Sequence, residues 1–284
     1  MWEGDAADVR RRNWILPSIV LQTTRVGDIH RSVTLLTESG LVRAMAHGAA
    51  KATSRLRAAT VPFSYVRAYL YRDPVRDSVK LIDVEALALH HHLSGDLLKY
   101  FTASLWAEVV IKSHAGGLQP DQLQRRLLVA LDRLDGAGAD EVAEVSAAFL
   151  WQALEHIGVA PEIDLCSACG RHLADSEGAL LHLADASLWC RSCHGEAAGA
   201  AGLVQELDAG LRGLFTVLRQ DGASPPAPPP AAAAGATTVA TSVTADVAEL
   251  RHQEWDRLRR LLQQLMQHAL ERPLNALACA AGIL

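Results

Sequence analysis

No stretch of this chain approaches the ~20 consecutive apolar residues that a bilayer-spanning helix requires. Residues 1–13 run acidic and then basic with no apolar segment behind them, which argues against a secretory leader. The marks of common enzyme classes are missing too: there is no Ser/His/Asp arrangement, no glycine-rich phosphate cradle and no HExxH motif. No internal repeat is visible. Positive charge is not in excess, since 27 Lys+Arg stand against 32 Asp+Glu, a formal net charge of -5. These absences set aside membrane-spanning, repeat and obvious catalytic architectures. What remains is a globular chain of 284 residues, half of them apolar, with material for about two domains.

The charge is unevenly spread. Residues 1–80 hold 13 Lys+Arg against 7 Asp+Glu, whereas residues 81–284 hold 14 against 25. One end can attract a polyanion that the rest repels. Within the first segment no acid occurs from Ser39 to Arg72, while Arg43, Lys51, Arg55, Arg57, Arg67 and Arg72 all do.

Residues 1–12 read as a disordered tail ending in Arg10, Arg11 and Arg12. Residues 13–85 read as strands. Ile15–Leu21 and Ser32–Thr37 are apolar and β-branched, and Gly40 marks a hairpin into Leu41–Ala46. Phe63–Tyr71 alternates at period two, and Val79–Val84 follows. Five short strands in so few residues predict a small closed barrel of the OB type. From residue 86 the period changes to three and four. Leu97, Leu98, Phe101, Leu105 and Val109 form one helical face over a first helical segment, residues 86–160. Pro120 opens a second helix, and Asp140 is placed to cap a third that ends at Gly158. Residues 161–200 carry the cysteines, and 201–220 resume the helical body with a pattern over Leu203–Leu218. Residues 221–244 form a Pro/Ala-rich linker, with Pro225, Pro226 and Pro228–Pro230 stiffening its start. Residues 245–284 supply a last helix, striped by Leu258, Leu261, Leu262, Leu265 and Ala269, and a tail. The fold class is α+β: an N-terminal OB barrel, a helical bundle and an inserted four-cysteine zinc ribbon.

The cysteines carry the sharpest signal. Cys166 and Cys169 form one CxxC pair, and Cys190 and Cys193 form another twenty residues on. Two such loops, each presenting two thiolates, complete the tetrahedron of one structural Zn2+. Gly170 and Gly195 are placed for turns of positive φ. A redox pair is the alternative, but it does not need two motifs. His172, His182 and His194 lie near enough in sequence to replace a cysteine. Cys279 is left over as an ordinary thiol. Two CxxC pairs suit a reducing cytoplasm better than a disulfide framework. The run His90, His91, His92 cannot share one helical face and reads as a partly packed cluster rather than a metal site.

Several segments together resemble the RecO family of bacterial recombination mediators. Ile19–Asp28 is similar to that family's opening strand and turn, Arg31–Thr37 to its second strand, and His47–Arg55 to its basic loop. Pro62 and Phe63 lead into a strand through Arg72. Gly158–Cys166 is similar to the entry to its cysteine site, and Leu270–Leu274 to the end of its last helix. The likeness covers residues 13–220 and 245–276. It implies a non-enzymatic protein that binds single- and double-stranded DNA and anneals complementary strands. It further implies that this protein helps RecA displace single-strand-binding protein. The implied partners are RecR and the C-terminal tail of single-strand-binding protein, with RecF in the same pathway and the cytoplasmic nucleoid as the location. On the barrel, Arg25, Arg31, Arg43, Lys51, Arg55 and Arg57 are the candidate DNA contacts.

The chain departs from the family in two places. Ala50, Ala52 and Thr53 stand where basic residues are usual, and Asn275 and Ala276 stand where a Lys-Ser type pair is. Both changes remove charge, so weaker unaided DNA binding is expected. The rival readings are a zinc-ribbon transcription or translation factor that binds RNA, a zinc-using nuclease or hydrolase, and a purely structural adaptor.

Overall fold

The structure, a computed structural model, describes residues 12–113, 119–174, 177–196, 203–222 and 243–284. Of the expected tail over 1–12, residues 1–11 lie outside the described residues, as do 223–242 of the expected linker over 221–244, whose two ends belong instead to the flanking helices. The chain divides into two compact units, one of residues 1–136 with 274–284 and one of residues 137–273.

The first unit opens with β1 (Asn13–Val26), β2 (His30–Thr37), β3 (Gly40–Ala46), a short α1 (Arg55–Ala59), β4 (Tyr65–Asp73) and β5 (Ser78–Ala88). They close in the order β1-β2-β3-β5-β4. The closing step pairs β3 with β5 in parallel through Ala44↔Val79 and Met45↔Lys80. This is the five-stranded Greek-key order of an OB barrel. Strand β1 is long because it serves two partners: Asn13–Ile19 pairs with β4, and Ser18–Val26 pairs with β2. A bulge between Val20 and Gln22 turns the strand between them. The interior holds Trp14, Val20, Val33, Leu35, Val42, Val66, Leu70 and Leu81, with the smaller Ala44, Ala46 and Ala68 among them. Leu56 of α1 packs against this cluster from one end.

Ile19, Leu21 and Leu36 are also buried, although they point away from the barrel interior. Helices α2 (Leu97–Lys112) and α3 (Pro120–Gly136) pack on β1 and β2 there. Asp96 caps α2 by accepting from the Lys99 amide at 3.1 Å. Buried Gln124 of α3 donates to Pro17 O and Leu36 O, each at 2.9 Å. The histidine run is a connector. His90 reaches Phe63 O and Asp132, and His92 reaches Asp135. A last short helix, α8 (Asn275–Cys279), rests on α2. Glu108 accepts from the amides of Asn275 and Ala276 at 2.8 and 2.7 Å.

The second unit holds α4 (Val142–His156), β6 (Ala179–His182), β7 (Ser187–Trp189), α5 (Arg191–Glu196), β8 (Val204–Leu207), α6 (Ala209–Gly222) and α7 (Val243–Leu270). Helix α4 packs on α7 and α6, with Trp151 edge-on to Phe215. Trp255 and Met266 complete the buried stripe of α7, whereas Ala269 is exposed.

Three local expectations change. Val204–Leu207 is not helical. Its apolar ends fit either period, and pairing with the edge of β6 decides for a strand. Asp140 does not cap α4. The chain enters through a 3-10 turn in which Glu141 accepts from the Gly138 amide at 2.8 Å. Gly195 has no positive φ, because the second cysteine pair runs directly into α5. Gly158 does end α4 at φ +75, as expected of a helix-terminating glycine.

Candidate nucleic-acid interface and metal centre

The sequence spreads six candidate cations over 33 positions, and the barrel gathers five of them at one end. Arg25 and Arg31 face each other across the last rungs of the β1–β2 ladder. The segment after β3 folds back onto the same turn. The Ala50 amide donates to Ile29 O at 3.0 Å, the Gly48 amide to His30 Nδ1 at 3.2 Å, and Thr23 Oγ1 to Thr60 O at 2.8 Å. Lys51, Arg55 and Arg57 therefore share this end with Arg25 and Arg31. Arg43 is separate, exposed on the outer face of β3 opposite Thr34.

The six are not equivalent. Arg25 donates from Nε to Gly27 O at 3.2 Å and from Nη2 to Asp28 O at 3.0 Å, bracing the turn that Gly27 makes at φ +59. Arg31 donates to Thr60 Oγ1 at 3.3 Å and to Arg57 O at 3.5 Å. Both side chains hold the site together. Arg43, Lys51, Arg55 and Arg57 are exposed, and their side chains make no hydrogen bond or ion pair among the described residues. The cations of the neighbouring strands differ. Arg67 pairs with Glu85 at 2.6 Å, Arg72 with Asp77 at 2.9 Å and Lys80 with Asp73 at 3.3 Å. The first group can neutralise phosphate without giving up a carboxylate, as can Arg12 and Arg76, which are also exposed and make no side-chain hydrogen bond or ion pair among the described residues.

In the second unit the four sulfurs of Cys166, Cys169, Cys190 and Cys193 lie within 4.8 Å of one another. All four are free thiols. Tetrahedral ligands at about 2.3 Å from a zinc ion would stand about 3.8 Å apart, so small side-chain shifts close the site. The first loop is shaped by Gly170 at φ +70, with the Gly170 amide on Cys166 O and the Cys166 amide on Arg171 O. In the second, the end of β7 meets the start of α5. The Cys190 amide donates to Cys166 Sγ at 3.3 Å and the Cys193 amide to Cys190 Sγ at 3.5 Å. Burial pushes the Cys166 thiol up, but the amides of Cys190, Cys169 and Ala168 outweigh it and bring it down to about 6. The thiols of Cys190 and Cys169, with burial, push Cys193 up to about 12.

Among the described residues no histidine joins the cluster. His172 spends its backbone on a bridge to Leu165, and buried His182 lies against Trp189 and 3.4 Å from His194. The donor set, four converging free sulfurs with amides aimed at two of them, fits a thiophilic divalent metal.

Residues 12–89 match the family model described as Recombination protein O N terminal, and residues 94–278 match Recombination protein O C terminal. The chain belongs to the RecO family. Among similar proteins, the DNA repair protein RecO of Gloeobacter violaceus is 34% identical over 162 residues, 56% of this chain and 61% of the relative. That of Heliobacterium modesticaldum is 35% identical over 167 residues, 56% of this chain and 57% of the relative. That of a Nocardioides species is 30% identical over 205 residues, 71% and 83%. The chain thus spans under two thirds of the length of the first two relatives. The barrel lies in the first matched part and the cysteine cluster in the second. Among the described residues no helix is long and apolar enough to cross a membrane.

Proposed function

We propose that this RecO-family chain is a non-enzymatic recombination mediator. It binds single- and double-stranded DNA through the basic end of its barrel. Phosphates are held by Lys51, Arg55 and Arg57, with Arg43 extending the track over β3, while Arg25 and Arg31 shape the platform. Two strands neutralised on such a surface repel each other less, which is the physical basis for annealing. With RecR, the protein helps load RecA onto strands coated by single-strand-binding protein, whose C-terminal tail is the further partner. It acts in the cytoplasm at the nucleoid. The observation that carries this reading is the contrast between four unpaired cations at and near one barrel end and the ion-paired cations of β4 and β5.

The cysteine cluster supports one structural Zn2+ held by Cys166, Cys169, Cys190 and Cys193. Four thiolates leave no ligand position for water, so a bound zinc contributes folding energy rather than catalysis.

The test is annealing of complementary strands coated with single-strand-binding protein. Wild type is expected to anneal them, and a chain with Lys51, Arg55 and Arg57 all changed to Ala is expected to be markedly slower. Equal rates would remove these residues from the interface. Stronger binding to RNA than to DNA of the same sequence would favour an RNA-binding factor instead.

A further inference from the structure

The cysteine loops depend on a residue that lies far from them in sequence. Arg212, in the first turn of α6, is 4% exposed. Its guanidinium donates from Nη1 to Ala174 O at 2.5 Å and Glu177 O at 2.6 Å, and from Nη2 to Ile163 O at 3.2 Å and Leu173 O at 3.1 Å. It pairs with no carboxylate among the described residues. Both Nη groups are satisfied by these four carbonyls, while the buried Nε has no partner; a buried cation is costly without such acceptors, so its position is fixed by these carbonyls and fixes them in turn.

The carbonyls belong to the two legs of one loop. Ile163 lies three positions before Cys166, and Leu173 lies four after Cys169. The legs are already zipped by the Leu173 amide on Asp164 O at 2.9 Å and by the Leu165↔His172 bridge. Arg212 closes the base of that zipper from outside. A planar fork bonds both legs at once, whereas the ammonium of a lysine offers a single point.

We propose that Arg212 is the positioning residue of the metal centre, holding the legs of the Cys166–Cys169 loop so that both sulfurs converge before a metal arrives. This rests on the reading of the four cysteines as a metal site. Without the fork, the loop must be ordered at the expense of binding. Outer partners of metal ligands typically change affinity 10- to 100-fold when altered.

The experiment titrates the metal-free full chain with Co2+, whose thiolate charge-transfer bands report a four-sulfur site, and follows helicity by circular dichroism. The variants are Arg212→Lys, Arg212→Gln and Arg219→Ala. The last cuts an exposed ion pair from the same helix to Asp164 on the same leg. Wild type is expected to show the bands. Arg212→Lys is expected to bind 10- to 100-fold more weakly with its helicity unchanged, and Arg219→Ala within two-fold of wild type. If Arg212→Gln unfolds, Arg212→Lys decides. Near-wild-type affinity in Arg212→Lys overturns the proposal and leaves the metal site standing. So does equal weakening in Arg219→Ala, or weakening that merely tracks lost helicity. A wild type without bands overturns the metal reading and this proposal with it.

Discussion

Replacing Lys51, Arg55 and Arg57 together with Ala should change the salt dependence of DNA binding by an amount set by counting. Four candidate cations, these three and Arg43, are exposed and unpaired among the described residues. Each phosphate contact to a single strand contributes about -0.7 to the slope of log affinity against log salt. Four contacts give a slope of about -2.8, or a loss of about 50-fold between 50 and 200 mM salt. The triple variant retains one contact, with a slope of about -0.7 and a loss of about 2.5-fold over that range. Fluorescence anisotropy of a labelled oligonucleotide across a salt series measures both. Charge is removed from the surface only, since none of the three side chains bonds to the fold, so the melting temperature should stay within a degree or two. An unchanged slope in a folded variant would refute the reasoning. Arg25→Ala and Arg31→Ala differ in kind: each releases a brace on the loop, so stability should fall along with binding.

Metal affinity should decline in acid. Cys193 keeps its proton well above neutral pH in the metal-free cluster, so binding near pH 7.5 must release at least one proton. Competition against a chelator at pH 6 and pH 8 checks this, and equal affinities would contradict it. Glu108 accepts from two amides at the start of α8 and from Lys112. Although burial raises its carboxyl, these bonds hold it below its ordinary value of 4.5. A depressed folded-state value stabilises above the unfolded one and is lost as pH falls through the folded one. Glu108→Gln should therefore cost about 1 kcal/mol at neutral pH, as a lost cap does. The gap should narrow as pH falls below the ordinary value of 4.5 toward the depressed folded-state one, and urea unfolding at neutral and acid pH reads it. Gln124→Leu should destabilise by about 1–3 kcal/mol, because Pro17 O and Leu36 O lose their donor at a buried site. Thermal melts would show no change if that amide is idle.

The barrel was legible because its strands alternate and its turns carry glycine, so the local pattern and the closed sheet agree. The cysteine cluster was legible because ligand spacing survives any fold around it. Other features depend on distant partners. Nothing in the residue types separates Arg31 from Arg55; only Arg57 O and Thr60 Oγ1, 26 and 29 residues along the chain from Arg31, make the first a brace and leave the second free. Gln124 looks like a stray polar residue on an apolar helix until two strand carbonyls appear beneath it. Arg212 reads as one more helix arginine, since its acceptors lie 35 to 49 residues away. Val204–Leu207 is too short for its period to be decisive, and its strand exists because β6 offers an edge.

The most direct test of the account is to find where the DNA lies. A single strand carrying photoreactive bases would be crosslinked to the full-length, metal-loaded protein at low salt and the attachment sites mapped by mass spectrometry. The account places them in residues 25–31 and 43–57. Efficient crosslinks confined to residues 137–273 would contradict it.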